Sequence, residues 1–271
     1  MRNRLISMLV VLLLPVVAAP VHPQNRARGT VYYYPLELKL ERATWRNFRD
    51  YRRQRPREKF AIEAFYPIGW SPNGKFAYYL EPVDEACHCY FAKLFIIDLK
   101  TDKVLWSFDY NSEFMEEAKK EGRPYTLDGL WQANQKLFWK KLVEHGIEPQ
   151  GRFSLLSFPI RHKRDLLTAN LRTKEKPGLT EEDRLYGIID KAIVHLNSRR
   201  HGRKTVFNYS YGEVRPLYVG LVGYLKSPHE PRIAILLLEV LRGYEGPPHT
   251  ARVRVVGAGL EDFKRAPEST F

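Results

Sequence analysis

Residues 71–108, SPNGKFAYYLEPVDEACHCYFAKLFIIDLKTDKVLWSF, constrain the fold more than any other part of this 271-residue chain. The stretch opens on Ser71-Pro72-Asn73-Gly74, a turn sequence in which proline presets φ and Asn-Gly accepts a positive φ. Runs of β-branched and aromatic residues then alternate with short polar breaks, a pattern typical of strands joined by tight turns. The pattern predicts three antiparallel strands, at residues 75–80, 90–99 and 104–108.

A looser version of the same pattern lies near the C-terminus. SPHEPRIAILLLE at residues 227–239 echoes SPNGKFAYYLE at residues 71–81, and an apolar run at residues 251–258 follows it. Together with residues 217–225, these segments have the breaker-bounded spacing of a second meander. The fold that we predict is therefore mainly β (α+β), with repeated antiparallel β-meanders arranged like part of a propeller or as a sandwich.

The hydrophobic period changes from that of a strand to that of a helix at residues 112–146, which we predict to be a helical insertion. Ser112 is the expected cap of a short helix at residues 113–120, and Thr126 is the expected cap of a longer helix that ends near Glu144. Trp131 and Trp139 are expected to pack against the core rather than to bind a ligand. The apolar stripe of the longer helix comprises Leu127, Leu130, Trp131, Leu137, Phe138 and Leu142.

The remaining segments complete the domain organisation. Strands are predicted at residues 30–40, 153–160 and 166–171. Residues 183–196 fit either a helix that begins behind Thr180 or an alternating strand, and the polar loop after them favours a hairpin. The expected organisation is a signal peptide at 1–18, an N-terminal strand and Arg-rich segment at 19–59, a first meander at 60–110, a helical insertion at 111–150 and a β-rich region with the second meander at 151–271.

The N-terminus has the form of a secretory signal. Arg2 and Arg4 supply the charged region, residues 5–14 the apolar region, and residues 16–18 a small-residue cleavage site. The alternative is an uncleaved membrane anchor, but the apolar run falls short of the roughly 20 residues that a spanning helix needs, and Pro15 interrupts it. We therefore expect an exported protein, either periplasmic or extracellular.

The formal net charge is +13, and much of it lies in two Arg-rich segments. Residues 42–60 read RATWRNFRDYRRQRPREKF, and residues 197–204 read NSRRHGRK. Such segments either form a solvated basic face or bind an anionic membrane surface or a cell-wall polymer. Nucleic acid is not the expected partner, because an exported protein rarely meets it and no recognition motif accompanies the charge.

The two cysteines of the chain, Cys87 and Cys89, flank His88. Three interpretations of this triplet stay open: a local disulfide, a pair of reduced or intermolecular thiols, and part of a metal site. Export favours oxidation of the thiols. Cys87, His88 and Cys89 are the candidate metal ligands, and a structural zinc site, which normally has four ligands, would need another residue to complete this set.

Two family resemblances rest on these motifs. Ser71-Pro72-Asn73-Gly74-Lys75, followed by Ile97-Asp98-Leu99 and Trp106, resembles one blade of the propellers of periplasmic translocation proteins, in which the turn and the acidic hairpin are scaffold. The signal peptide, SPNGKFA, IIDLKTDK, SPHEPRIA and the GYEGP turn together resemble a family of predicted secreted bacterial proteins of unknown function. This second resemblance implies export and a β-rich fold, and it brings no substrate or catalytic residue.

The sequence carries no motif of an established chemistry. It has no Gly-x-Ser-x-Gly elbow, no Ser-x-x-Lys pair and no His-Glu-x-x-His helix. No cofactor is expected. Our hypothesis is an exported, non-enzymatic envelope protein with a binding or structural role. The alternatives are a secreted hydrolase with an unrecognised site and a thiol- or metal-binding protein that uses Cys87, His88 and Cys89.

Overall fold

The computed structural model describes residues 34–261 and 263, and its antiparallel sheets confirm the predicted mainly-β class. The first meander forms sheet 1, in which the strands are ordered β5-β4-β3-β2-β6. Its strands are β2 (Ala64–Trp70), β3 (Lys75–Glu81), β4 (Cys89–Asp98), β5 (Lys103–Phe114) and β6 (Glu148–Pro149).

The second meander forms sheet 2, in which the strands are ordered β1-β13-β12-β11. Its strands are β1 (Phe60–Ile62), β11 (Tyr218–Lys226), β12 (Arg232–Leu241) and β13 (His249–Gly259). Strand β1 runs parallel to β13 for three residues, and the chain then continues into β2 of sheet 1. Arg232 also joins the two meanders, because its guanidinium donates to the Leu99 carbonyl at 3.0 Å.

Sheet 3 has the strand order β10-β9-β8-β7 and is antiparallel throughout. Its strands are β7 (Ile160–His162), β8 (Asp165–Glu175), β9 (Ile189–Ser198) and β10 (Gly202–Ser210). The ambiguous stretch at residues 183–196 contains both structures that its pattern allows. It begins in helix α5 (Glu181–Tyr186) and continues as β9, and β9 and β10 form the expected hairpin.

Sheet 2 is the middle layer, and this position explains why β12 is an unbroken apolar run. Along a strand, successive side chains point to opposite faces. Ala234, Leu236 and Leu238 pack in a core shared with sheet 1. Their neighbours Ile233, Ile235 and Leu237 pack in a core shared with sheet 3. The stacked layers correspond to the sandwich alternative rather than to a partial propeller.

The helices cover the outer layers. Helices α1 (Glu41–Asn47) and α2 (Arg49–Gln54) lie in the Arg-rich segment, and α1 packs on β11. Helices α3 (Met115–Glu121) and α4 (Leu127–Glu144) form the predicted insertion. The Thr126 hydroxyl accepts the Gly129 N–H at 3.2 Å, which confirms the predicted cap. Phe138 of α4 packs against Phe108 of β5, with a ring separation of 5.0 Å.

Two local predictions near the helices are wrong. Ser112 does not cap a helix; it lies in β5, where its buried hydroxyl accepts the Tyr90 N–H at 2.8 Å and donates to the Glu113 carbonyl. Helix α3 therefore begins later, at Met115. Trp139 is 49% exposed, because it lies one position beyond the buried Phe138 and points away from sheet 1.

Two strand predictions also fail. Residues 34–40 form no strand, since Leu38 makes a single backbone bond to Phe65 and no ladder follows; residues 30–33 lie outside the described residues. Residues 153–159 contribute only an isolated bridge between Leu156 and Tyr224. Pro35 lies near the start of the first segment and Pro159 at the end of the second, and proline cannot donate to a ladder.

The predicted signal peptide at residues 1–18 lies outside the described part of the chain. Among the helices that the structure describes, none combines the length and the apolar character needed to cross a membrane.

Candidate functional site

The outer face of sheet 3 carries an unusual set of side chains. Residues of β9 that point inward, such as Val194 and Leu196, are buried against sheet 2. The register of the four strands places the intervening side chains on the opposite face, toward solvent. We call this face the basic face; it comprises Arg161, Leu166, Thr168, Asn170, Arg172, Lys174, Lys191, Ile193, His195, Asn197, Arg203, Thr205, Asn208 and Ser210.

The charges on the basic face all have one sign. It carries five Lys or Arg side chains and one histidine, and no carboxylate of these four strands shares the face. Lys174 lies directly opposite Lys191 in the register. Like charges directly opposite each other on neighbouring strands are destabilising. The stability of the sheet therefore does not account for this placement.

Two hairpin turns extend the positive charge at one end of sheet 3. We call them the basic turns; they comprise Lys163 and Arg164 between β7 and β8, and Arg199, Arg200 and His201 between β9 and β10. Residues of both turns line two adjoining cavities of about 580 and 500 Å³. The space between the turns is large enough for a small anionic group such as a phosphate or a sugar carboxylate.

The acidic residues near the basic turns are already engaged. Ser198 donates its hydroxyl hydrogen bond to the Asp165 carboxylate, and this bond lowers the pKa of Asp165. The Ser198 oxygen in turn accepts the N–H groups of Arg200 and His201, at 3.0 and 2.7 Å. Glu261 pairs with Lys163 at 2.5 Å. The carboxylate of Asp165 therefore shapes the β9–β10 turn while the arginines stay exposed.

Apart from Lys163, the cations of the basic face and the basic turns form no ion pair among the described residues. Burial, together with the guanidinium groups of Arg203 and Arg172, lowers the pKa of His195, as expected in a positive potential. Within the described residues, no ion pair includes Arg161, Arg164, Arg172, Lys174, Lys191, Arg199, Arg200 or Arg203.

The other Arg-rich segment, residues 42–60, is partly neutralised by its own helices. Arg53 pairs with Asp50 at 3.1 Å, and Arg55 pairs with Glu58 at 2.8 Å. Arg46 donates to the Ser157 hydroxyl at 2.6 Å. This segment borders an open cavity of about 920 Å³ beside β11. Unlike the basic face, it carries the carboxylates of Asp50 and Glu58 among its cations.

The sequence predicts only part of the basic face and the basic turns. The segment at residues 197–204 was singled out, and it forms one of the basic turns. The run at residues 161–164, RHKR, was missed, although four consecutive basic residues are a signal. The strand cations were missed because they are spread over four strands.

The Cys87-His88-Cys89 triplet lies at the start of β4, far along the chain from the basic face. The two sulfurs are bonded to each other, so of the three interpretations the structure contains the local disulfide. Disulfide sulfurs offer no thiolate to a metal, and the part of the chain that the structure describes holds no group of three side chains placed as metal ligands.

A partly buried ion pair of sheet 2, Glu239 with Arg254, contacts tyrosines at the end of β10 in sheet 3. The Glu239 carboxylate accepts the Tyr211 hydroxyl at 2.6 Å and two guanidinium N–H groups of Arg254. The Arg254 guanidinium also lies over the Tyr209 ring, 4.4 Å from its centroid. These contacts position β10, which carries part of the basic face.

Comparison with protein-family models, curated proteins and solved structures gives no significant match to this chain. Both family resemblances described above therefore stay predictions.

Proposed function

We propose that this protein is exported and binds an anionic polymer of the cell envelope through the basic face and the basic turns. The observation that carries the proposal is one exposed sheet face on which five cations share the face with no carboxylate of its four described strands. An array of unpaired like charges raises the local concentration of an oppositely charged partner. The opposed Lys174 and Lys191 supply a site where one anionic group neutralises two amino groups.

A hydrated polymer fits this face better than a membrane does. Binding to a bilayer surface gains much of its free energy from apolar side chains that enter the headgroup region. The basic face has only Leu166 and Ile193 of this kind, and both are half-buried. Hydroxyl and amide groups instead lie between the cations, where they match sugar or phosphate oxygens.

The face also has the extent that a polymer needs. Thr168 and Lys174 are six residues apart on β8, which corresponds to about 20 Å along the strand. Four strands span roughly 14 Å in the other direction. Several repeating charges of an acidic polysaccharide or a polyphosphate can therefore contact the face at once.

The test is a binding titration of the purified protein with polygalacturonate and with polyphosphate over a range of salt. Affinity is expected to fall steeply between 50 mM and 500 mM salt, because the exposed charges are screened. Liposomes with anionic headgroups serve as the membrane probe, and they are expected to bind more weakly.

A matched pair of triple variants locates the surface. Arg172→Gln, Lys191→Gln and Arg203→Gln remove three charges from the basic face. The control variant combines Lys103→Gln, Lys120→Gln and Lys136→Gln, which remove three exposed charges from elsewhere in the described chain. Binding should drop at least tenfold in the first variant and stay within about twofold in the second. Equal losses in both variants, or binding that is independent of salt, would contradict the proposal.

A further inference from the structure

Strand β13 has a free edge that the fold does not fill. On one side β13 pairs with β12 along its whole length. On the other side β1 pairs only from Phe60–His249 to Ile62–Ala251. Beyond Ala251, the outer edge of β13 has no neighbouring strand among the described residues.

The backbone direction along this edge follows from the hydrogen bonds at its two ends. The Leu260 N–H bonds Pro231, on the β12 side, at 2.7 Å. The His249 N–H bonds Lys59, on the β1 side, at 2.8 Å. Since backbone groups alternate along a strand and the register has no shift, the N–H and C=O groups of the odd-numbered residues 251–257 point to the free edge.

Two carboxylates occupy alternate donors on the edge. Glu63, the residue after β1, accepts the Val253 N–H at 3.0 Å. Asp102, in the turn between β4 and β5, accepts the Gly257 N–H at 2.7 Å. Each carboxylate takes the place that a carbonyl of a neighbouring strand would have. Burial raises the pKa of both groups, so a carboxylate is held at these places at some electrostatic cost.

Between the two carboxylates, three backbone groups lack a partner. The hydrogen bonds of the described residues leave the Val255 N–H and the carbonyls of Val253 and Val255 unpaired. They border a cavity of about 370 Å³, whose opposite wall is the inner face of sheet 1, including Phe95 and Ile97. Buried backbone groups are almost always paired, and an open strand edge is a template for another strand.

We propose that this cleft binds one extended segment of a partner polypeptide, which pairs with Val255 and adds a strand to sheet 2 in line with β1. From Val253 to Gly257 the edge is about 13 Å long, which matches three to four extended residues. Binding of this kind takes its affinity from main-chain hydrogen bonds and its specificity from alternate side chains.

The walls of the cleft define the chemistry of the segment. A partner residue opposite Val255 points its side chain toward sheet 1, where Tyr78, Phe95 and Ile97 favour an apolar group. The next residue points the other way, toward Arg252 and Arg254. Arg254 already pairs with Glu239, whereas Arg252 is exposed and in no ion pair of the described chain. The preferred segment therefore alternates apolar and acidic residues. This inference is independent of the polymer proposed for the basic face.

The test uses the peptide acetyl-Glu-Val-Glu-Val-Glu-amide and the isotopically labelled full-length protein. NMR should show a saturable shift of the Val255 amide and a slowing of its hydrogen exchange by at least tenfold. Two further peptides carry N-methyl groups on one or the other set of alternate nitrogens. Only alternate amides of a paired strand face its neighbour. The peptide that is methylated on those amides should lose binding, and the other peptide should bind nearly as well as the parent peptide.

Variants separate this site from the basic face. Val255→Pro removes the central N–H donor of the free edge without removing a bond to β12, and it should abolish peptide binding. Arg252→Glu should weaken peptide binding about tenfold. Lys136→Glu is the matched control for Arg252→Glu. Circular dichroism establishes whether the Val255→Pro variant is folded. If it is not, the two N-methylated peptides still test whether the partner pairs as a strand with Val255. Equal effects of the two N-methylated peptides, or an unshifted Val255 amide, would overturn the inference.

Discussion

The Lys191→Glu substitution is expected to stabilise this protein while it weakens polymer binding. Lys174 and Lys191 lie directly opposite each other on β8 and β9, with no carboxylate on the same face. If replacing a residue improves stability and impairs binding, that residue contributes to binding of the partner and not to stability of the fold. The pair of lysines therefore gives a direct test of the basic face.

The magnitude follows from the register. Opposed Cβ atoms are about 5 Å apart, and two flexible amino groups at this place settle roughly 7 Å apart. Two unit charges at that distance in water repel each other by about 0.6 kcal/mol. Lys191→Glu removes this repulsion and adds an attraction of similar size, so the free energy of unfolding should rise by about 1 kcal/mol. Lys191→Gln removes only the repulsion and should give about half of that gain.

The assay is urea unfolding at 20 mM and at 1 M salt. At 1 M salt the Debye length is about 3 Å, so the stabilisation should nearly vanish. Polygalacturonate binding by the same variant should fall at least tenfold at 50 mM salt. The reasoning is refuted if Lys191→Glu is less stable than the parent at low salt, if its gain is the same at both salt concentrations, or if it binds the polymer unchanged.

Three further predictions concern stability. Gly257→Ala should lower the unfolding free energy by about 2–3 kcal/mol in urea, because a Cβ there would overlap the Leu99 backbone; an unchanged midpoint would contradict this packing. Arg254→Met should cost about 3 kcal/mol, since it leaves the buried Glu239 carboxylate without its cation, and adding Glu239→Gln should recover part of that loss; no recovery would mean that the arginine acts by packing. Asp102 has a pKa raised from 3.8 to about 6 by burial, so its folded form binds a proton more tightly than its unfolded form. The parent should therefore gain stability relative to Asp102→Asn as the pH falls from 7 through 6 toward 4, by up to about 1 kcal/mol for this partly exposed group; a gain in the opposite direction would contradict the raised pKa of Asp102.

The metal hypothesis for Cys87, His88 and Cys89 applies to the reduced chain. Zinc titration of the reduced protein, followed by thermal unfolding, should show no shift in melting temperature if the triplet serves only as a disulfide-bonded loop. A shift that is lost in the Cys87→Ser and Cys89→Ser variant would instead support a thiol or metal role.

Local geometry could be predicted from the sequence because it depends on neighbours in the chain. Thr126 caps α4 through an N–H three residues away, and Gly122 ends α3 in a left-handed conformation that suits glycine. The strands of both meanders follow from alternating or continuous apolar runs between turn residues. Ser112 was misassigned because its hydroxyl bonds to a neighbouring strand rather than to the helix that follows it.

The candidate sites depended on tertiary structure. Residues 161–164 and 197–204 meet because β8 and β9 pair in one particular antiparallel register. The basic face carries charge of a single sign because of which side chains point outward. In β10 this alternation changes at the register shift between Thr205 and Phe207. The open edge at Val255 exists because the chain leaves β13 after Ile62 to begin sheet 1.

The sequence by itself therefore determined the mainly-β class, the two meanders, the helical insertion and the excess of positive charge. Those properties arise from composition and from periods of two or 3.6 residues, which are local. The tertiary structure decided which strands are neighbours, which cations share a face and where an edge stays unpaired. Strand pairing joins residues that are distant in sequence, so no local period in the chain records it.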